Sequence, residues 1–113
     1  MSETIFSKII NREIPADIVY EDDLCLAFQD VNPQAPMHIL IIPKNPIARL
    51  MDAQDTHQDV LGHLMLKAAK VAGQQGYGDA FRLVVNNGEQ VGQTVFHLHI
   101  HILGGRPFSW PPG

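Results

Sequence analysis

Apolar positions recur at two periods along this chain, and the changes of period divide it into elements. Ile5, Phe6, Ile9 and Ile10 stand at helical spacing behind Thr4, a residue suited to an N-cap. A short helix is therefore expected from Thr4 to Ile14, closed by Pro15. Ile18-Val19-Tyr20-Glu21 is rich in β-formers, Asp22-Asp23 signals a turn, and Leu24 to Gln29 is a second run; together they predict a hairpin. Asp30 to Met37 holds two prolines and reads as a loop. His38 to Ile42 is apolar on both faces, which predicts a central strand closed by Pro43. Asn45 to Asp55 is a connection. The longest pattern predicts a helix over Thr56 to Ala72, with Leu61, Leu64, Met65, Ala68 and Ala72 on its inner face. Thr56-His57-Gln58-Asp59 has the form of a capping box, and Gly73 and Gly76 stop the helix. Ala80 to Val85 and Val95 to Leu103 are the last two strands, joined by the loop Asn86 to Gln93. The segment 104–113 has no regular pattern.

Five strands with hairpin connections and two helices predict an α+β domain, its sheet mostly antiparallel and the long helix on one face. A chain of 113 residues gives a single domain, 1–113. Hydrophobic residues make up 45%, enough for a core without disulfides. The net charge of -4 argues against a nucleic-acid partner, which needs a basic face, but not against a small anion held by backbone N–H groups. The only cysteine, Cys25, lies in an apolar run and reads as a buried hydrophobe in a reducing compartment. Met1-Ser2-Glu3-Thr4 lacks the basic start and apolar run of a signal peptide, and no run approaches the ~20 residues of a membrane span. A cytoplasmic protein without membrane contact is expected.

The chemistry concentrates in His97-Leu98-His99-Ile100-His101. On a strand, the three histidines project from one face, while Phe96, Leu98, Ile100 and Ile102 project from the other and pack on the helix. A solvated face would use Thr, Lys, Glu or Ser instead. One zinc held by all three is disfavoured, because His97 and His101 lie roughly 13 Å apart on a strand. No cysteine pair or nearby carboxylate completes such a site. No metal and no cofactor is therefore expected. A neutral imidazole is a good nucleophile toward phosphorus near pH 7. His99, flanked on both sides, is the best placed of the three. Gly92, Gln93 and Thr94 deliver the chain into this strand and offer close backbone approach and donors to phosphate oxygens. His38, a lone polar residue opening an apolar strand, reads locally as a satisfied core histidine. His57 and His63 read as surface or boundary residues of the long helix. Asp30 is a loop carboxylate, of the kind that also binds a ribose diol.

His97-Leu98-His99-Ile100-His101-Ile102-Leu103 resembles the signature of the histidine triad (HIT) superfamily. Ile5-Phe6, Ile14-Pro15, Ala35-Pro36-Met37-His38, Ile42-Pro43-Lys44, Val84-Val85-Asn86, Gly92-Gln93, Gly104-Gly105-Arg106 and Trp110-Pro111-Pro112-Gly113 extend the likeness to its nucleotide-binding Hint branch. The resemblance implies the HIT-like fold, a homodimer with a shared sheet, and a purine nucleoside monophosphate in each site. It implies hydrolysis of nucleoside 5′-phosphoramidates to nucleotide and amine, with His99 as nucleophile through a nucleotidyl-histidine intermediate. His97 would assist positioning and phosphate contact, and His101 with His38 would form a supporting pair. Asp30 would bind the ribose. Ile5, Phe6, Ile9, Phe28, Val31 and Leu40 would line the base pocket. Asn86, Gly92, Gln93 and Thr94 would contact phosphate or leaving group, and Trp110 would reach the partner subunit's site. Thr94 stands where well-known animal members carry Ser; the hydroxyl is kept but its rotamers are restricted. Three alternatives compete: a regulatory nucleotide-binding scaffold with incidental hydrolysis, a dinucleoside polyphosphate hydrolase, and a zinc-binding module.

Overall fold

The computed structural model describes residues 3–113; Met1 and Ser2, the start of the acidic N-terminal stretch, lie outside the described residues. Thr4 caps α1 (Ile5–Ile10) through a capping box: the Thr4 hydroxyl accepts from Ser7 N at 3.3 Å, and Ser7 Oγ accepts from Thr4 N at 2.9 Å. The helix is shorter than its apolar pattern predicts. It stops because Arg12 adopts a left-handed φ of 62°, and Arg12 N and Glu13 N donate back to Ile9 O and Lys8 O. This is a Schellman closure, complete before Pro15 is reached.

Five strands follow: β1 (Ile18–Glu21), β2 (Cys25–Gln29), β3 (Met37–Pro43), β4 (Phe81–Val84) and β5 (Ile100–Gly104). They form one antiparallel sheet in the order β1-β2-β3-β5-β4. β3 is central and all seven of its residues are buried, as its two-sided apolar pattern predicts. Alternation sends Cys25, Ala27, Met37, Ile39, Ile41, Ile100 and Ile102 to one face and Leu26, Phe28, Leu40 and Ile42 to the other. The first set packs on α2 (Gln58–Gln74) through Leu64, Ala68, Val71 and Ala72. The second packs on Phe6 and Ile9 of α1. The sheet is thus covered on both faces, and the α1 face carries the site.

The long helix departs from its pattern in three places. Val71 takes an inner position, while Met65 is 52% exposed. A 3₁₀ turn, Asp55–His57, precedes α2, so the capping box forms on Gln54 and His57 and not on Thr56 and Asp59. At the far end the helix runs through Gly73, and Gly76 at φ 91° closes it, with Tyr77 N donating to Ala72 O at 2.8 Å. Asp22 ties the β1–β2 turn to this helix. It accepts from Leu24 N, Cys25 N and Tyr20 Oη, and from His63 Nε2 at 2.7 Å. Burial works against the charged form, yet these donors hold Asp22 well below the usual carboxylate range.

The last strand is half as long as the expected Val95 to Leu103. β5 starts at Ile100, paired with Ile41 of β3. Upstream of that pair β3 ends in Pro43, which has no N–H to offer, and β4 ends at Val84 opposite His101. Residues 93–99 therefore have no ladder to join. Leu98 N donates instead to Ile47 O. Phe96, expected to bury on the helix, is 41% exposed.

Candidate functional site: a chain of neutral imidazoles under an apolar pocket

Two sheet residues, His38 and His101, and two residues of the irregular stretch before β5, His97 and His99, bring four imidazoles together on the α1 side of the sheet. His101 sits on β5 opposite Leu40 of β3, and His38 on β3 opposite Leu103. Their rings meet, His38 Nε2 lying 2.9 Å from His101 Nδ1. His38 Nδ1 accepts from Gln34 N at 2.9 Å, so the proton of His38 is on Nε2 and is donated to His101 Nδ1. His101 is left with its own proton on Nε2. Asp30 Oδ2 lies 3.3 Å from His38 Nε2.

The other two rings take their tautomers from backbone carbonyls. His99 Nδ1 donates to His97 O at 2.8 Å, and His97 Nε2 donates to Pro43 O at 2.7 Å. The lone pair of His99 is thereby on Nε2. Burial is the main cause that pushes all four histidines below the ordinary 6.5. His101 falls to about 4, through burial and then its neighbours His99 and His38, with Asp30 opposing. Neutral rings with fixed tautomers follow at pH 7. Among the described residues, no buried side-chain nitrogen or oxygen lacks a partner.

A pocket opens in front of His99 and His101. Its apolar wall comes from α1 (Ile5, Phe6, Ile9), β2 (Phe28) and β3 (Leu40), and its polar rim from Asp30 and Thr94. Phe6 braces the nucleophile candidate, its ring edge-on to His99 at 5.0 Å between centroids. An unprotonated Nε2, an Nε2–H donor on His101 and a carboxylate converge on an apolar slot. Such a set can attack an electrophile, donate to an oxyanion and hold a hydroxyl-bearing ligand by its flat apolar part.

The family model described as HIT domain matches residues 11–108. The chain belongs to the HIT domain family. An uncharacterized HIT-like protein of Synechocystis sp. is 71% identical to this HIT chain over 111 residues, 98% of this chain and 97% of its own. A 14 kDa zinc-binding protein of Brassica juncea is 50% identical over 113 residues, 98% of this chain and 100% of its own. The crystal structure of a HIT family hydrolase from Legionella pneumophila superposes with a TM-score of 0.95 at 46% identity, covering 98% of this chain and 100% of that one. The fold is the HIT fold expected from the triad.

Within this HIT domain the residues singled out by sequence fall into two groups. Ile5, Phe6, Ile9, Phe28, Asp30, Val31, Leu40, Thr94, His99 and His101 line one pocket, and His38 supports it from behind. Asn86, Gly92, Gln93, His97 and Trp110 do not line it. His97 is buried against Pro43, and the Gln93 side chain points inward with its carboxamide bonded on every side. Trp110 is 82% exposed. Ile14, Pro15, Ala16, Gln29 and Val95 complete the lining and were not anticipated. Ile14 and Pro15 looked like the end of a helix; only the early closure at Arg12 turns them back over the pocket. No carboxylate adjoins the histidine cluster in the sequence. Folding supplies Asp30, which with His38 and His101 places three potential ligand atoms within 4.8 Å of one another.

Proposed function

We propose that this HIT protein belongs to the Hint branch and hydrolyses purine nucleoside 5′-phosphoramidates to nucleoside monophosphate and amine. The observation that carries the reading is His99: its Nδ1 proton is held by His97 O, so a neutral Nε2 lone pair faces the pocket beside Asp30 and His101. His99 Nε2 attacks phosphorus, the new P–N bond forms as the bond to the amine breaks, and the leaving nitrogen takes a proton from solvent water, relayed through the Thr94 hydroxyl. Water then attacks the nucleotidyl-histidine: its oxygen stays on phosphorus, one of its protons returns to solvent by the same relay, and Nε2 leaves with its lone pair restored. His101 donates its Nε2 proton as a hydrogen bond to a phosphoryl oxygen throughout, oriented by His38. Asp30 accepts from the ribose hydroxyls, and the apolar wall stacks the purine. His97 serves by presenting its carbonyl to His99.

β4 is one of the two edge strands of the sheet, and Trp110 stands out in solvent; both support a homodimer in which the sheet continues through β4 and Trp110 borders the partner's site. A lone buried cysteine supports a cytoplasmic setting. Among the described residues no helix is long and apolar enough to cross a membrane. The mutual approach of Asp30, His38 and His101 favours a second reading, a zinc ion in place of the His38–His101 proton.

A leaving-group series on one adenosine 5′-phosphoramidate core tests the proposal. Turnover that persists after chelation and varies with the amine supports it. Activity at background on every amine leaves a nucleotide-binding scaffold, and activity that disappears with stoichiometric zinc selects the metal reading.

A further inference from the structure

Gln93 is expected from the resemblance to contact phosphate or leaving group, and its surroundings point its side chain to other work. The side chain is 1% exposed. Its Oε1 accepts from Gly88 N at 2.8 Å, and its Nε2 donates to Ala48 O at 2.8 Å and to Val95 O at 3.1 Å. Both amide protons are consumed and the carbonyl has its partner, so no side-chain donor remains for a phosphate oxygen. The three partners belong to three separate stretches. Gly88 opens the turn before the histidines, Ala48 lies in the connection after β3, and Val95 leads to His97. Gln93 N also donates to Gly88 O at 3.1 Å, which closes the turn from both sides. All of this falls where the chain has no sheet ladder to fix it, immediately before Thr94 on the pocket rim.

We propose that Gln93 is a positioning residue: its carboxamide replaces the missing ladder and sets Thr94 against the scissile bond. The inference rests on the phosphoramidase reading and names the residue that gives that site its leaving-group geometry. Gln93 does not line the pocket formed by Phe6, Ile9, Phe28 and Leu40, which hold the nucleotide in that reading. Its loss should therefore spare nucleotide affinity and strike the chemical step.

The test compares Gln93→Met, a neutral change of similar volume, with Gln93→Asn, which keeps an amide too short to span all three partners. The expected result is AMP affinity within about twofold of the unaltered protein, with kcat on adenosine 5′-phosphoramidate reduced by on the order of 10²-fold, the effect of a misplaced reacting group. Gln93→Asn should lie between. In a Thr94→Ala background Gln93→Met should cost far less, because the two act as a unit. Three results overturn the proposal: an unchanged kcat, a parallel loss of AMP affinity and kcat in both variants, or an equal cost with and without Thr94. If the unaltered protein releases no amine from any phosphoramidate, the reading of the function fails first and carries this proposal with it.

Discussion

The imidazole of His99 donates to the carbonyl oxygen of His97, two residues earlier, at 2.8 Å. That acceptor is free only because residues 93–99 are not in a ladder; in a paired strand the His97 carbonyl would bond to a neighbouring strand. The same irregularity that shortens β5 therefore fixes the tautomer of the proposed nucleophile. His99→Ala removes the attacking lone pair and leaves the apolar wall of α1, β2 and β3 in place. Turnover of adenosine 5′-phosphoramidate should fall by at least about 10³-fold, while AMP binding by calorimetry stays within a few-fold. Retained turnover would sink the covalent mechanism.

His38 acts one step further back. Its ring is held between Gln34 N and His101 Nδ1, and so dictates that His101 presents Nε2–H to the pocket. His38→Ala frees His101 to adopt either tautomer and leaves Gln34 N without its acceptor. A loss in kcat of about tenfold or more is expected, the size of one well-placed hydrogen bond to an oxyanion, with a smaller change in KM. Nitrogen-15 spectra of the imidazoles should show His101 moving from one tautomer to a mixture. A single unchanged tautomer would contradict the assignment.

These two bonds mark where the sequence was readable and where it was not. The alternation of Leu98, Ile100 and Ile102 against His99 and His101 placed two imidazoles on the ligand face, because a period of two survives even where pairing stops. The two-sided apolar run of β3 gave its central position for the same kind of reason. His97 shares the parity of His99 yet turns inward, because Pro43 O offers a buried acceptor that no local pattern announces. Phe96 has the parity of a core residue, but the strand begins only at Ile100, four residues after it. The Asp30–His101 approach and the Gln93–Ala48 bond join residues far apart in the chain, and periodicity carries no information about such contacts. The pocket role of the α1 residues was legible only through family resemblance, whereas Thr94 already stood out as a hydroxyl in the loop that enters the histidine cluster.

Acidification should destabilise the protein before the carboxylates titrate. His38, His97, His99 and His101 are all held below their ordinary 6.5 by burial, His101 to about 4. Between those values the unfolded chain binds protons that the folded chain refuses. Stability therefore rises with pH across this window, is complete above about 6.5, and is lost as pH falls toward 4. His101 alone contributes a difference of about 2 kcal/mol between pH 7 and pH 5. Urea unfolding at the two pH values measures it, and equal midpoints and slopes would refute buried neutral histidines.

Gly105 has a backbone and a neighbourhood that both exclude a side chain. Its φ is 95°, in the region that L residues rarely adopt, and an added Cβ would lie 2.8 Å from Pro36 Cβ and 2.9 Å from Tyr77 Cε1. Pro36 belongs to the loop that leads into β3 and His38, and Tyr77 follows the closure of α2, so neither ring can yield without moving an element end. Arg106, the next residue, donates from Nε to Gln34 O at 2.8 Å, beside the amide that holds His38. Gly105→Ala should therefore do two things. Strain and overlap together should cost about 3 kcal/mol of stability, read as a lower urea midpoint. Displacement of the Gln34 loop should also loosen the His38–His101 pair, so that kcat falls even at temperatures where the variant is fully folded. A variant that loses stability but keeps its full kcat would show that the Pro36–Gly105 contact serves the fold alone.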